Sequence, residues 1–178
     1  MATRNTVSQE NMEMLARYHQ WAGERLLGDL ESISDEEWYR DEGLFFDSIH
    51  GTLNHLLLVD QLWLGRLLGR PITISGLDQQ LHGKRQPLIR ALRAQWQAVI
   101  DYAKSADATD GIPETRFINT RGEEYQLPKM PVFQHIVNHG THHRGQISAV
   151  LTRNGHPAPE LDLGYMLYDE ADEVLDKA

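Results

Sequence analysis

The 178-residue sequence contains no cysteine. This absence excludes disulfides, thiol nucleophiles and thiolate metal ligands, so any metal site must be built from histidines or carboxylates. It leaves the redox compartment open. The sequence also lacks the HExxH motif, which places two metal-binding histidines and a general base on one helix. A zincin-type metalloprotease is therefore not expected.

Basic residues and long apolar runs are also scarce. The chain has 17 Lys and Arg against 26 Asp and Glu, a net charge of -9, which argues against a general nucleic-acid binder. No apolar run approaches the ~18 residues of a membrane span, and no signal segment is visible at the N-terminus. With 40% apolar residues, the chain is expected to form a single cytoplasmic domain over residues 1–178, with no membrane partner.

Apolar residues recur at helical spacing in four long segments, which predicts an all-α four-helix bundle. The first segment begins near Ser8, and the segments cover about residues 8–30, 45–68, 88–106 and 131–153. Residues 71–85 make a long connection, of the kind that crosses a bundle or reaches over a site. Ser34 followed by Glu37 fits a capping box and predicts a short helical turn between the first two helices.

Between the third and fourth long helices the pattern becomes strand-like. Residues 116–120 and 123–127 flank a turn at 120–123, which predicts a small β-hairpin before the last long helix. After Pro157 and Pro159, residues 161–175 predict a short C-terminal helix packed on the bundle.

Residues 133–151, FQHIVNHGTHHRGQISAVL, contain four of the nine histidines. On a helix that turns about 100° per residue, His135 and His143 each lie about 40° from His139, and His142 lies about 60° from it. Two histidines four residues apart can bind one metal ion from one helix face, and neutral imidazole is a common ligand for zinc and related metals. The spacing alone leaves both His135/His139 and His139/His143 as candidate pairs.

A third ligand must come from another helix, since a catalytic zinc usually has three protein ligands and an open position. His55, inside the apolar arc of the second helix, is the candidate, although a lone histidine there is more often a core residue. His50 points about 140° away from it and is interpreted as structural or as a support for a ligand. Asp60 is either a salt-bridged acid or an acceptor for a ligand histidine, and its spacing from His55 does not favour the second role. His19 is expected at the surface or partly buried.

Three segments together resemble the DinB branch of the DinB/YfiT-like superfamily, whose members are assigned as metalloenzymes. They are YHQWAGERLL, FFDSIHGTLNHLLLVDQLWLGRLLG and FQHIVNHGTHHRGQISAVLTRNGHPAPELDL. Their order and spacing fit the family over nearly the whole chain. The resemblance implies a four-helix bundle with a long crossover connection and a homodimer. It also implies one divalent metal, zinc or nickel, held by His55, His139 and His143, with His142 as a neighbour that does not bind the metal.

The resemblance also suggests a function. Characterised relatives in the superfamily include transferases and isomerases that use low-molecular-weight thiols such as bacillithiol and mycothiol. The leading hypothesis is therefore a metal-dependent enzyme with a small-molecule substrate, and a thiol-dependent S-transferase in particular. The alternatives are a metal-assisted hydrolase and a non-catalytic protein in which the metal stabilises the fold, and an interaction module ranks below both. No catalytic residue beyond the metal ligands is assigned, and no nucleic-acid partner is expected.

Overall fold

The computed structural model describes residues 3–105, 114–119 and 121–175, and within these ranges the chain forms six helices and one antiparallel hairpin. In chain order they are α1 (Thr3–Leu30), α2 (Asp35–Tyr39), α3 (Ile49–Leu67), α4 (Arg85–Ser105), β1 (Glu114–Ile118), β2 (Glu124–Pro128), α5 (Lys129–Arg153) and α6 (Leu163–Leu175). The predicted helical bundle, its hairpin and its short C-terminal helix are thus confirmed. None of the described helices has the length and apolar character that crossing a membrane requires.

The four long helices α1, α3, α4 and α5 form the bundle. Both α1 and α3 pack against α4 and against α5, so the two pairs alternate around the bundle. The core is filled by side chains that are almost fully buried, such as Leu26, Leu57, Leu92, Phe133 and Ile136. Burial of one such side chain stabilises the fold by about 1.5–3 kcal/mol. This packing places α3 and α5, the two helices with the candidate ligands, side by side.

The start of α3 differs from the prediction in a way that shapes the site. The helix begins at Ile49 rather than at Phe45, because the Ser48 hydroxyl accepts a backbone N–H of the first turn and caps the helix there. The apolar spacing continues through Phe45 and Phe46, which precede the cap, so the sequence pattern predicted a helix start that is too early. Phe46 instead lies in a loop and stacks on His55, with ring centroids 3.7 Å apart.

The other helix starts also differ by a few residues. α1 begins at Thr3 rather than near Ser8, α4 begins at Arg85, earlier than predicted, and α6 begins slightly later. Apolar periodicity marks where a helix is packed and locates its ends only to within a few residues. The predicted capping box of α2 is confirmed, since the Glu37 N–H donates to the Ser34 hydroxyl and the Ser34 N–H donates to the Glu37 carboxylate.

The predicted hairpin packs on the C-terminal half of α3. In β1, Thr115 and Phe117 are buried while their neighbours are exposed, so one face of the hairpin is directed at the bundle. The Thr115 hydroxyl donates to the main-chain carbonyl of Arg66 at 2.6 Å. The Phe117 ring meets Trp63 edge to face, with centroids 5.2 Å apart. Thr120, at the predicted turn, lies outside the described residues.

Candidate metal centre

Three of the nine histidines meet between α3 and α5, and we call His55, His139 and His143 the triad. His139 Nε2 lies 3.1 Å from His55 Nε2 and 3.1 Å from His143 Nε2. His139 and His143 share one face of α5 because they are four residues apart, and His55 enters from the neighbouring helix. In the part of the chain that the structure describes, the ligand atoms of this group all lie within 4.8 Å of one another, and the group contains no carboxylate.

Oxygen acceptors fix the orientation of two of the three rings. His55 Nδ1 lies 2.8 Å from the Leu77 carbonyl oxygen, and His143 Nδ1 lies 2.7 Å from Gln146 Oε1. Because these oxygens only accept hydrogen bonds, each Nδ1 carries the proton and each Nε2 presents a lone pair. Metal-binding histidines are typically supported in this way through their second nitrogen.

The three Nε2 atoms cannot satisfy one another by hydrogen bonding. A neutral His139 carries one proton, so at most one of its two 3.1 Å contacts is a hydrogen bond. Its buried Nδ1 has no partner among the described residues. A metal ion about 2.0–2.1 Å from each nitrogen, at tetrahedral angles, places neighbouring nitrogens about 3.3 Å apart. The two separations from His139 Nε2, both 3.1 Å, are close to this value, so the triad fits a metal ion.

Burial keeps the imidazoles of the triad neutral. Desolvation, reinforced by the neighbouring histidines, lowers the pKa of His139 to about 3. Desolvation also lowers the pKa of His143 to about 4, against the opposing effect of its hydrogen bond to Gln146. The pKa of His55 is lowered by the same cause. Since imidazole binds a metal only in its deprotonated form, the triad is ready for a cation at neutral pH.

The triad lies in the wall of a cavity of about 630 Å³. Its walls come from α3, α5, the hairpin, the loop before α3 and the long connection after it. Most of the lining is apolar or aromatic, including Phe45, Phe46, Leu62, Trp63, Phe117 and Tyr125. No Asp or Glu is among the described residues that line it. A concave, mostly apolar space of this size suits a small-molecule ligand.

Comparison with known proteins agrees with the resemblance. A sequence model of the DinB family matches residues 1–173. The chain belongs to the DinB family. Among curated proteins, Protein DinB of Bacillus subtilis (strain 168) is 26% identical over 165 residues, which covers 86% of this chain and 92% of that protein. The family expected from three sequence segments is therefore confirmed.

The other candidate histidines of this DinB-family chain lie outside the triad. His142 is exposed, and its ring packs edge-on against that of His143, with centroids 4.8 Å apart. His135 is also exposed and packs against a tryptophan of α3. The spacing left two pairs open, His135/His139 and His139/His143. The structure brings the second pair together with His55 of α3. His50 is buried and accepts an indole N–H at 2.9 Å, which fits its structural interpretation.

A second buried polar cluster links α1, α3 and α5, and we call His19, Asp60 and Arg144 the His19 network. His19 is 1% exposed, so the expected surface or partly buried position is wrong. Its Nε2 donates to Asp60 Oδ2 at 2.8 Å, and its Nδ1 accepts from Arg144 Nη1 at 3.2 Å. Asp60 is therefore a buried acid that pairs with His19, and it does not orient a histidine of the triad. Gly140 leaves room for this ring, since an added Cβ would lie 2.5 Å from His19 Cε1.

Three supports of the triad were not predicted from the sequence. They are the Leu77 carbonyl in the long connection, the Phe46 ring in the loop before α3, and the Gln146 amide in α5. Gln146 had a usable signal, because it follows His143 by three residues and so lies on the same helix face. The two loop residues had none, since their positions depend on how the loops fold back over the bundle.

Proposed function

We propose that this protein is a metal-dependent enzyme in which His55, His139 and His143 hold one divalent metal ion, zinc or nickel. We further propose that it transfers the sulfur of a low-molecular-weight thiol to a small electrophilic substrate. The observation that carries the proposal is the convergence of three neutral imidazoles in a cavity wall, with no fourth ligand in the group. A structural zinc site is usually closed by four protein ligands, whereas a catalytic site keeps one position open.

The residues around the triad would orient and shield the reaction. When bound, the ion would act as a Lewis acid that favours the anionic form of a thiol or polarises a carbonyl. Leu77 and Gln146 hold two of the rings in position, and Phe46 covers one face of the His55 ring. Because the chain has no cysteine, the reacting sulfur must belong to a small molecule. In the transfer the sulfur bonds to carbon, the leaving group takes the electrons of the broken bond, and the thiol proton passes to solvent.

The composition of the cavity favours S-transfer over metal-assisted hydrolysis, the second candidate. Hydrolysis needs a general base close to the attacking water. No carboxylate is among the described lining residues, so an exposed histidine of the wall, His142 or His135, would have to act as the base. A thiol ionises far more easily than water, so S-transfer needs less help from a base.

Metal content and thermal stability before and after chelation provide the first test. We expect about one metal ion per chain, lost on chelation while the bundle stays folded, because burial of its apolar core stabilises the four helices. Unfolding on metal removal would instead identify a structural metal, the third candidate, and would contradict the enzyme proposal.

The His139→Ala variant tests the ligand assignment. It should lose the metal, and with it thiol transfer from bacillithiol or related thiols to electrophilic aryl halides, because it removes the central nitrogen of the triad. His156→Ala is the matched control, since His156 lies beyond α5 and pairs with Glu37. Elemental analysis and a thiol-consumption assay measure the two effects. Unchanged metal occupancy in His139→Ala would contradict the assignment.

The homodimer and the cytoplasmic location implied by the resemblance stay predictions. Sedimentation of the purified protein checks the first, and cell fractionation checks the second. The proposed metal site depends on neither, because its three histidines belong to one chain.

A further inference from the structure

Arg66 is a buried cation in the wall of the same cavity. The residue is 7% exposed, and it lines the cavity together with the triad. Its guanidinium has no hydrogen bond or ion pair within residues 3–105, 114–119 and 121–175, and burial alone lowers its pKa. A charge with little access to water and no partner is costly. The Arg66 nitrogens are not among the fully buried polar atoms without a partner, so they are reached from the cavity, where a ligand can bind them.

Two aromatic rings hold Arg66 in place without using its hydrogen-bond donors. Its Cζ lies 4.3 Å from the ring centroid of Trp63 and 4.1 Å from that of Phe117. Cation–π contacts stabilise the charge, but they leave the N–H groups without acceptors. A guanidinium positioned by rings in this way presents a fixed fork, which matches a carboxylate through two parallel hydrogen bonds.

The second arginine of the cavity wall already has a partner. Arg121 Nε lies 3.3 Å from Glu123 Oε2, and its side chain is 75% exposed. Of the two cations in the described wall, Arg66 is therefore the one that a ligand can neutralise. A single guanidinium matches the single charge of a carboxylate better than the near-double charge of a phosphate monoester.

We propose that Arg66 binds a carboxylate of the substrate or of the thiol, so that the cavity selects ligands with an apolar body next to a carboxylate. The reaction expected at the other end of such a ligand rests on the proposed function, whereas carboxylate binding by Arg66 does not. Arg66 follows His55 by eleven positions on α3, a rise of about 16 Å. Both side chains lean toward the N-terminus, and the longer arginine side chain reaches further, which brings the guanidinium closer to the triad. The ligand's carboxylate and reactive atom are therefore less than about 16 Å apart.

The test compares acids with their neutral amides on the full chain as purified. The probes are phenylalkanoic acids from phenylacetate to 6-phenylhexanoate and the corresponding amides, with binding followed by NMR titration. We expect the best acid to bind about tenfold or more tightly than its amide, as hydrogen bonds to a charged group imply. Arg66→Gln should remove this preference, and Arg121→Gln, the matched control in the same wall, should retain it.

Several results would overturn the proposal. Equal binding of acid and amide to the unsubstituted protein, or no binding of any acid, would show that Arg66 is not a carboxylate site. An unchanged preference in Arg66→Gln, with only a lower unfolding temperature, would assign Arg66 a structural role at the hairpin. Tighter binding of phenyl phosphate than of every acid would replace the carboxylate by a phosphate.

A second variant keeps the test decisive if Arg66→Gln does not fold. Arg66→Lys retains the charge but lacks the planar fork, so most of the preference for acids should be lost. If Arg66→Lys kept the full preference for acids, binding through two parallel hydrogen bonds would be contradicted. Metal content is measured on the same samples, so failure of the proposed function would appear as absent metal while the acid preference remained.

Discussion

The triad and the His19 network both combine histidine with side chains of α3 and α5, but their partners differ. In the His19 network a donor meets an acceptor at each contact, since Arg144 donates to His19 and His19 donates to Asp60. In the triad, His139 Nε2 lies between two acceptor nitrogens and can donate to only one of them. The protein satisfies every contact inside the first cluster, although Asp60 Oδ1 and Arg144 Nε have no partner among the described residues. The contacts of the second cluster fit a cation instead. A mismatch of donors and acceptors, rather than the presence of histidine, is therefore what indicates a binding site.

Helix geometry lets α5 and α3 serve both clusters. Successive residues point about 100° apart on a helix. His143 can therefore face the cavity while its neighbour Arg144 joins the His19 network. On α3, His55 and Asp60 are about 140° apart and separate in the same way. We therefore expect a substitution in one cluster to leave the other intact.

Asp60→Ala should have the largest effect, a loss of unfolding free energy. It removes the acceptor of His19 and leaves the charge of Arg144 buried, which costs about 3–5 kcal/mol of unfolding free energy. Asp169→Ala is the control, because its partly exposed pair with Arg25 contributes at most about 1 kcal/mol. Urea unfolding measures both variants. Similar losses would deny the network a stabilising role, and loss of metal from folded Asp60→Ala would show that the two clusters are coupled.

Gln146→Ala should act on the triad instead. Without the acceptor for its Nδ1–H, His143 is less firmly oriented, and metal affinity should fall about 10–100-fold. The unfolding free energy of the metal-free protein should change little. Competition with a chromogenic chelator measures the affinity, and Gln134→Ala, an exposed glutamine of the same helix, is the control. Equal affinities in the two variants would mean that packing alone orients the ring.

The stability of the metal-free protein should fall as the pH drops below about 6.5. Unfolded histidines bind protons near that pH, whereas folding holds the pKa of His139 at about 3 and that of His143 at about 4. Between these values the unfolded state binds more protons, so unfolding becomes easier. In His139→Ala the slope should be shallower, by less than about 1.4 kcal/mol per pH unit because the ring is partly exposed. Urea unfolding across this range measures both slopes, and identical slopes would contradict the lowered pKa.

Local signals in the sequence predicted the elements well, and contacts between elements poorly. Apolar periodicity marked the four long helices, but it could not show that Ser48 caps α3 later than the apolar pattern suggests. The resemblance pointed to the three histidines that the structure brings together. The burial of His19 and the lack of a hydrogen-bond partner for the Arg66 guanidinium among the described residues could not be predicted from the sequence. Each depends on which helices and strands become neighbours. The donor–acceptor balance of a buried cluster appears only in three dimensions.

His142→Ala should have the smallest effect, although His142 is the nearest rival of His143 in the sequence. Its ring is exposed, and its Nε2 is not among the converging atoms. Metal content should stay unchanged and the unfolding free energy should shift by less than about 0.5 kcal/mol. Elemental analysis and urea unfolding check both. If this variant lost its metal as completely as His139→Ala, a histidine without any donor–acceptor mismatch would be a ligand, and the distinction between the two clusters would fail. If the metal stayed but turnover fell, His142 would act as a proton acceptor at the cavity, and hydrolysis would become the better proposal.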